Sequence, residues 1–158
     1  HVLPTGGTAT RFSGLTVDDF RRRTSFVAFT RADLQDTLST IEAFGLIPAK
    51  RRIGLFQPHR YSRTRLLAKE FGPAFSGLDM LVVTDIYAAS ETPIKGITGR
   101  SIADRVTGVK KVMYVPDKKD IPASVLPLLE DGDMVITFGA GDIYKIGHSL
   151  LDLLKKRR

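Results

Sequence analysis

The sequence contains no cysteine, which excludes a disulfide framework and thiolate zinc sites. Its three histidines, His1, His59 and His148, are scattered. A stable transition-metal site is therefore not expected, and only Mg²⁺ bridging phosphates stays open. No apolar run approaches the roughly 20 residues that a membrane-spanning helix needs, and no signal peptide is legible at the N-terminus. These absences fit a cytoplasmic protein. The G-x-S-x-G nucleophile elbow is missing. So is the G-x-x-x-x-G-K-[ST] phosphate loop, to which Gly6-Gly7 with Thr8 and Thr10 come nearest. There is no internal repeat, heptad pattern or low-complexity block.

What remains is a chain of 158 residues, the size of one domain, with 42% hydrophobic residues to build a core. The formal net charge of +7 gathers at Arg21-Arg22-Arg23, Lys50-Arg51-Arg52 and Lys155-Lys156-Arg157-Arg158. Such a field favours anionic partners. No nucleic-acid recognition motif accompanies it, so nucleic acid ranks behind small anions. The last cluster also suits the C-terminal end of a helix, where cations complement the dipole.

Residues 1–29 resist assignment. They are rich in Gly, Thr and Pro at first, then offer two short apolar stretches, 16–17 and 25–29, around Asp18-Asp19 and the arginine run. We expect an atypical, partly flexible segment that adds at most an edge strand. From residue 30 the pattern changes. Leu34, Leu38, Ile41 and Phe44 mark a helical stripe that Gly45 ends. Residues 53–56 read as a buried strand stopped by Pro58. A helix starting near Ser62 or Thr64 is predicted next, with Leu66, Leu67, Phe71 and Phe75 on its apolar face and Pro73 shortening or kinking it. Residues 80–84 form a continuous apolar strand of the kind covered on both faces. A short helix from Ser101, a strand over 111–115, a weak helix over 121–129 disturbed by Pro122 and Pro127, a strand over 134–138 and a terminal helix complete the chain. This alternation predicts an α/β, three-layer Rossmann-like domain over 30–158, with a mostly parallel sheet and helices on both faces.

Three loops follow strands, and so fall on one edge of a parallel sheet: 57–63, 85–91 and 139–142. Ligands collect at that edge. Arg60 and Arg63 can present planar forks to a carboxylate or phosphate, and His59 can donate or accept. Gly139 and Gly141 would let backbone approach a ligand closely, with the following helix offering amide donors, although a lone glycine turn reads first as structural. The plainer alternative is that Arg60 or Arg63 pairs with Asp85 or Glu91 and merely ties two loops. Lys118 and Lys119, between Asp117 and Asp120, read as an exposed turn, and His148 as a packed or surface residue of the last helix.

The run Phe56-Gln57-Pro58-His59-Arg60-Tyr61-Ser62-Arg63-Thr64 resembles a signature of the C-terminal domain of the Mur ligases of peptidoglycan synthesis. Asp85-Ile86-Tyr87-Ala88-Ala89-Ser90-Glu91-Thr92-Pro93-Ile94, Gly132-Asp133 and Gly139-Ala140-Gly141-Asp142-Ile143 follow in the family's order. The resemblance is strongest to the members that join L-alanine to UDP-N-acetylmuramate. It implies a three-domain ATP-dependent amide ligase working through an acyl phosphate, of which this chain is the closing domain, inactive alone. ATP and Mg²⁺ would be bound mainly by the N-terminal and central domains outside this chain, none tightly here. It further implies that His59, Arg60, Arg63, Asp85, Tyr87, Glu91, Gly139, Gly141 and Asp142 form the substrate-facing surface, while Tyr61 and Ser62 shape the turn. It assigns no general base. One departure stands out. The family's Asp-Asp-Tyr followed by His-His-Pro is absent, and Asp18-Asp19-Phe20 precedes three arginines instead. A related Mur ligase domain adding another amino acid or peptide is therefore kept as an alternative. So is a stand-alone Rossmann-like module that binds an anionic metabolite or nucleotide without catalysis.

Overall fold

The computed structural model describes residues 48–156. The expectations for 1–29, the helix expected after Thr30 and the Asp18-Asp19 pair lie outside them. Four strands, β1 (Arg52–Phe56), β2 (Met80–Val83), β3 (Lys111–Tyr114) and β4 (Met134–Phe138), form one sheet in the order β3-β2-β1-β4. All three pairings are parallel. The expected parallel sheet is therefore present, and β1 and β2 lie in its interior.

Strand alternation divides the core into two layers. On one face Phe56, Leu81, Val83, Met134, Ile136 and Phe138 meet Phe71, Phe75, Leu78 and Ile102. On the other, Ile53, Leu55, Met80, Val82 and Val135 meet Ile121, Val125, Ile143, Ile146 and Leu150. Helices α1 (Tyr61–Leu66) and α2 (Gly99–Ala103) belong to the first side, α3 (Ile121–Val125) and α4 (Tyr144–Lys156) to the second. No helix of the described residues is long and apolar enough to cross a membrane.

Local chemistry sets the helix limits. Helix α1 stops at Leu66, and a separate 3-10 turn, Pro73–Phe75, carries the remaining aromatic contact. Pro73 has no amide hydrogen for a continuing ladder and opens a new turn instead. The long amphipathic helix predicted here is therefore short. Leu66, assigned to its buried face, is 79% exposed. Helix α2 begins two residues before Ser101, because Thr98 and Ser101 form a reciprocal capping box. Pro122 lies in the first turn of α3, and Pro127 in that of a 3-10 turn, Leu126–Leu128, so the expected weak helix becomes two short turns. At the amino edge of the sheet, Asp133 is 2% exposed. It accepts Arg51 Nε at 2.9 Å and Nη2 at 2.6 Å, and the Glu130 amide at 2.8 Å. This bidentate pair pins the starts of β1 and β4 in register, so that their far ends arrive together.

Candidate functional site at the carboxyl edge of the sheet

The pairing of β1 with β2 outlasts the strands. Tyr87 N donates to Pro58 O at 2.8 Å and Arg60 N to Tyr87 O at 2.9 Å. His59 and Tyr87 thereby lie side by side as an isolated parallel bridge. Their rings stack at 5.6 Å and 12°. Pro58 ends the strand, yet its carbonyl continues the pairing, which brings the two loops together.

Two depressions flank this stack. One, of about 250 Å³, is lined by His59, Arg60, Ser62, Arg63 and Leu66. The other, of about 440 Å³, is lined by Gln57, Thr84, Asp85, Ile86, Tyr87, Ala88, Pro116, Asp117 and Lys118. The nine residues expected to form one surface are thus distributed. His59, Arg60 and Arg63 share the first depression. Asp85 and Tyr87 line the second. Asp142 reaches the second through Lys118. Glu91 braces the first, whereas Gly139 and Gly141 serve the wall between strands.

Arg60 is the centre of the first depression. Its backbone has φ 65° and ψ 137°, a conformation natural to glycine and strained by on the order of 1–3 kcal/mol for other residues. Its Nε is buried without a hydrogen-bond partner. Among the described residues neither Arg60 nor Arg63 forms an ion pair. The plainer alternative, in which they tie loops through Asp85 or Glu91, is not what the fold does. Glu91 accepts Ser62 N at 2.9 Å and Ser62 Oγ at 2.6 Å. These bonds, aided by the charge of Arg60, hold its carboxyl below the usual range. Loop tying falls to a serine, and among the described residues neither guanidinium has a carboxylate in ion-pair contact.

In the second depression, Tyr114 donates to Asp85 at 2.5 Å, and the Arg100 guanidinium lies 5.7 Å from the Tyr114 ring centre. Burial, then the bond to Asp85 and its charge, push the phenol up to about 12. Gln57, 3% exposed, is the hub between loops. A Cβ on Gly139 would come within 2.8 Å of Gln57 O, and one on Gly141 within 2.5 Å of Gln57 Oε1. The bareness of these glycines admits Gln57, in keeping with the structural reading of the turn.

Lys118, read as an exposed turn residue, is half-buried and lines the second depression, which sequence reasoning missed. It donates to Asp142 at 2.5 Å. The signal was absent because the partner lies 24 residues away. This bond and the Lys118 charge, with help from Gln57, hold the Asp142 carboxyl below its ordinary range. A carboxylate with a depressed folded pKa stabilises the fold above its unfolded value, and that contribution disappears as pH falls through the folded value. The stability difference between the unchanged chain and Asp142→Asn should therefore be full near neutrality and shrink below about pH 4. Thermal melts of both chains from neutral to acid pH measure it, and a pH-independent difference would refute the pairing. Among the described residues no cluster of three or more His, Asp or Glu is placed to hold a metal ion.

Comparison with known proteins places the chain as a whole. The family model described as Mur ligase, glutamate ligase domain, matches residues 27–141. A second model, histidinol dehydrogenase, matches residues 1–47. Asp18-Asp19-Phe20 thus lies outside the Mur ligase match and inside the other. The UDP-N-acetylmuramate–L-alanine ligase of Myxococcus xanthus is 42% identical over 159 residues, covering 95% of this chain and 32% of the relative. That of Geotalea uraniireducens is 46% identical over 108 residues, covering 67% and 24%. The chain thus spans about a third or less of the curated relatives it matches. Among solved structures, a UDP-N-acetylmuramate-alanine ligase from Thermotoga maritima superposes with a TM-score of 0.61 at 17% identity, over 85% of this chain and 28% of that one. A Haemophilus ducreyi domain, from a protein described as a UDP-N-acetylmuramate:L-alanyl-gamma-D-glutamyl-diaminopimelate ligase, gives 0.55 at 15% identity. It is covered over 89% of its length. These last two likenesses concern the fold. With a matching family model across most of its length, and with that model's fold, the chain belongs to the Mur ligase family.

Proposed function

We propose that this chain is the closing domain of an ATP-dependent amide ligase that joins L-alanine to UDP-N-acetylmuramate, and that its arginine corner receives the acid partner. One observation carries the reading: Arg60 and Arg63 lie at the carboxyl edge of the sheet without ion-pair partners among the described residues, and Arg60 Nε is buried unbonded. The names of the relatives at 42% and 46% identity supply the substrate class.

The chemistry fits. A free carboxylate is a poor electrophile at neutral pH, and ATP supplies its activation in ligases of this kind. The residues here suit the phosphate side of that step and not the metal side. Two guanidiniums offer fixed donor forks to a carboxylate or phosphoryl group. No carboxylate cluster among the described residues would hold Mg²⁺. Arg60 and Arg63 therefore bind and orient the anion, and nucleotide and metal belong to the remainder of the ligase. No phosphate-loop motif occurs in the sequence, so the chain alone does not turn over.

The test is a fusion of this chain behind the preceding two thirds of the Myxococcus xanthus relative. ADP release should require both UDP-N-acetylmuramate and L-alanine. Arg63→Ala should lower it by about 10- to 100-fold, the worth of a charge-assisted contact made to a developing anion. A folded fusion that releases ADP with a different amino acid, or whose rate ignores Arg63, would overturn the assignment.

A further inference from the structure

We infer that Thr64 is a positioning residue for Arg60, presetting the guanidinium before any anion arrives; the inference rests on the anion-binding role proposed for Arg60. Thr64 is 1% exposed, one of few buried polar residues. Its amide donates to Arg60 O at 3.0 Å and its Oγ1 donates to the same oxygen at 2.8 Å. On the other side of Arg60, its own amide donates to Tyr87 O at 2.9 Å. Both peptide planes that meet at the Arg60 Cα are therefore fixed. With them is fixed the direction in which the side chain leaves the backbone.

A threonine hydroxyl bonding back four residues is commonplace inside helices. This one differs in its acceptor. Arg60 stands at the N-cap of α1 with φ 65°. A residue held there relaxes to negative φ unless its surroundings over-determine it. Relaxation would rotate the side chain away from His59 and Arg63, with which Arg60 lines its depression. Thr64 supplies two of the three bonds that prevent it, from a site that solvent does not reach. The threonine thus holds the anion site in shape without touching the anion.

The 158-residue chain, titrated with inorganic pyrophosphate and followed by its arginine Nε–H resonances, tests this. Thr64→Val keeps the shape and removes the hydroxyl. It should weaken pyrophosphate binding by about three- to tenfold, the range of one lost hydrogen bond, and shift the Arg60 Nε–H signal in the free protein. Thr64→Ser keeps the hydroxyl and should bind as the unchanged chain does. In an Arg60→Gly chain, adding Thr64→Val should change the residual affinity no further. Equal affinity for Thr64→Val and the unchanged chain, with Arg60→Gly still weak, overturns the positioning role alone. A Thr64→Ser chain that loses affinity overturns it too, and decides the matter if Thr64→Val does not fold. Pyrophosphate binding indifferent to Arg60 in every chain instead removes the anion role on which the inference rests.

Discussion

Arg60→Gly should weaken anion binding by the domain roughly 10- to 150-fold while leaving the fold at least as stable. The two effects separate because the residue's side chain and backbone have opposite consequences. The side chain lines the anion depression, with its Nε buried and unbonded. Losing charge-assisted bonds costs about 1.5–3 kcal/mol, roughly 10- to 150-fold in affinity. The backbone sits at φ 65° and ψ 137°, which glycine adopts freely. Relief of this strain returns about 1–3 kcal/mol, offset in part by the greater freedom of glycine in the unfolded chain. Arg60→Ala is the control. It should lose the same affinity but keep the strain, and so melt below Arg60→Gly. Denaturant titration with a phosphate-binding assay on both variants reads the two effects independently. A destabilised Arg60→Gly chain would mean that the conformation is not strained.

Gly99→Ala should be the most damaging small substitution among the described residues, costing about 2–4 kcal/mol. Gly99 opens α2 directly beneath the end of β2. A methyl group there would overlap the Thr84 carbonyl oxygen, with the Thr84 carbonyl carbon at 2.8 Å and the Asp85 Cα at 3.1 Å. These are backbone atoms and cannot swing aside. Either α2 lifts, loosening Thr98 and Ser101, or the 84–87 loop shifts, pulling Asp85 from Tyr114 and Tyr87 from His59. The damage would therefore reach both depressions. Gly141→Ala makes the comparison, because the nearest atom there is Gln57 Oε1, the far end of a side chain. It should cost less, about 1–2 kcal/mol. Chemical unfolding of the two variants measures the order, and a milder Gly99→Ala would contradict the packing described.

The layered plan was legible because burial on both faces forces the strands to be apolar throughout. Residues 80–83 and 134–138 are buried at every position, and alternation with helices left a parallel sheet as the economical arrangement. The edge carrying the loops followed from that alone. Other features were not legible, for reasons that recur. Leu66 shares the helical stripe of Leu67 and Phe71, but periodicity cannot register that the helix stops before Pro73 and turns the stripe outward. Lys118 has nothing local to mark it, since its meaning is Asp142. Gln57 reads as a polar residue after a strand, whereas its packing against Gly139 and Gly141 is a tertiary fact. The arginine corner was visible from its residue types, but its division from the Asp85 depression by stacked His59 and Tyr87 depended on three dimensions.

The measurement that bears most directly on the central claim is a pyrophosphate titration of the whole chain, followed by backbone and arginine side-chain resonances. The account predicts saturable shifts concentrated at residues 59–64, weakened by added salt and much weaker at the same pyrophosphate concentration in Arg60→Gly. Shifts spread evenly over the basic surface, or retained in Arg60→Gly, would contradict it.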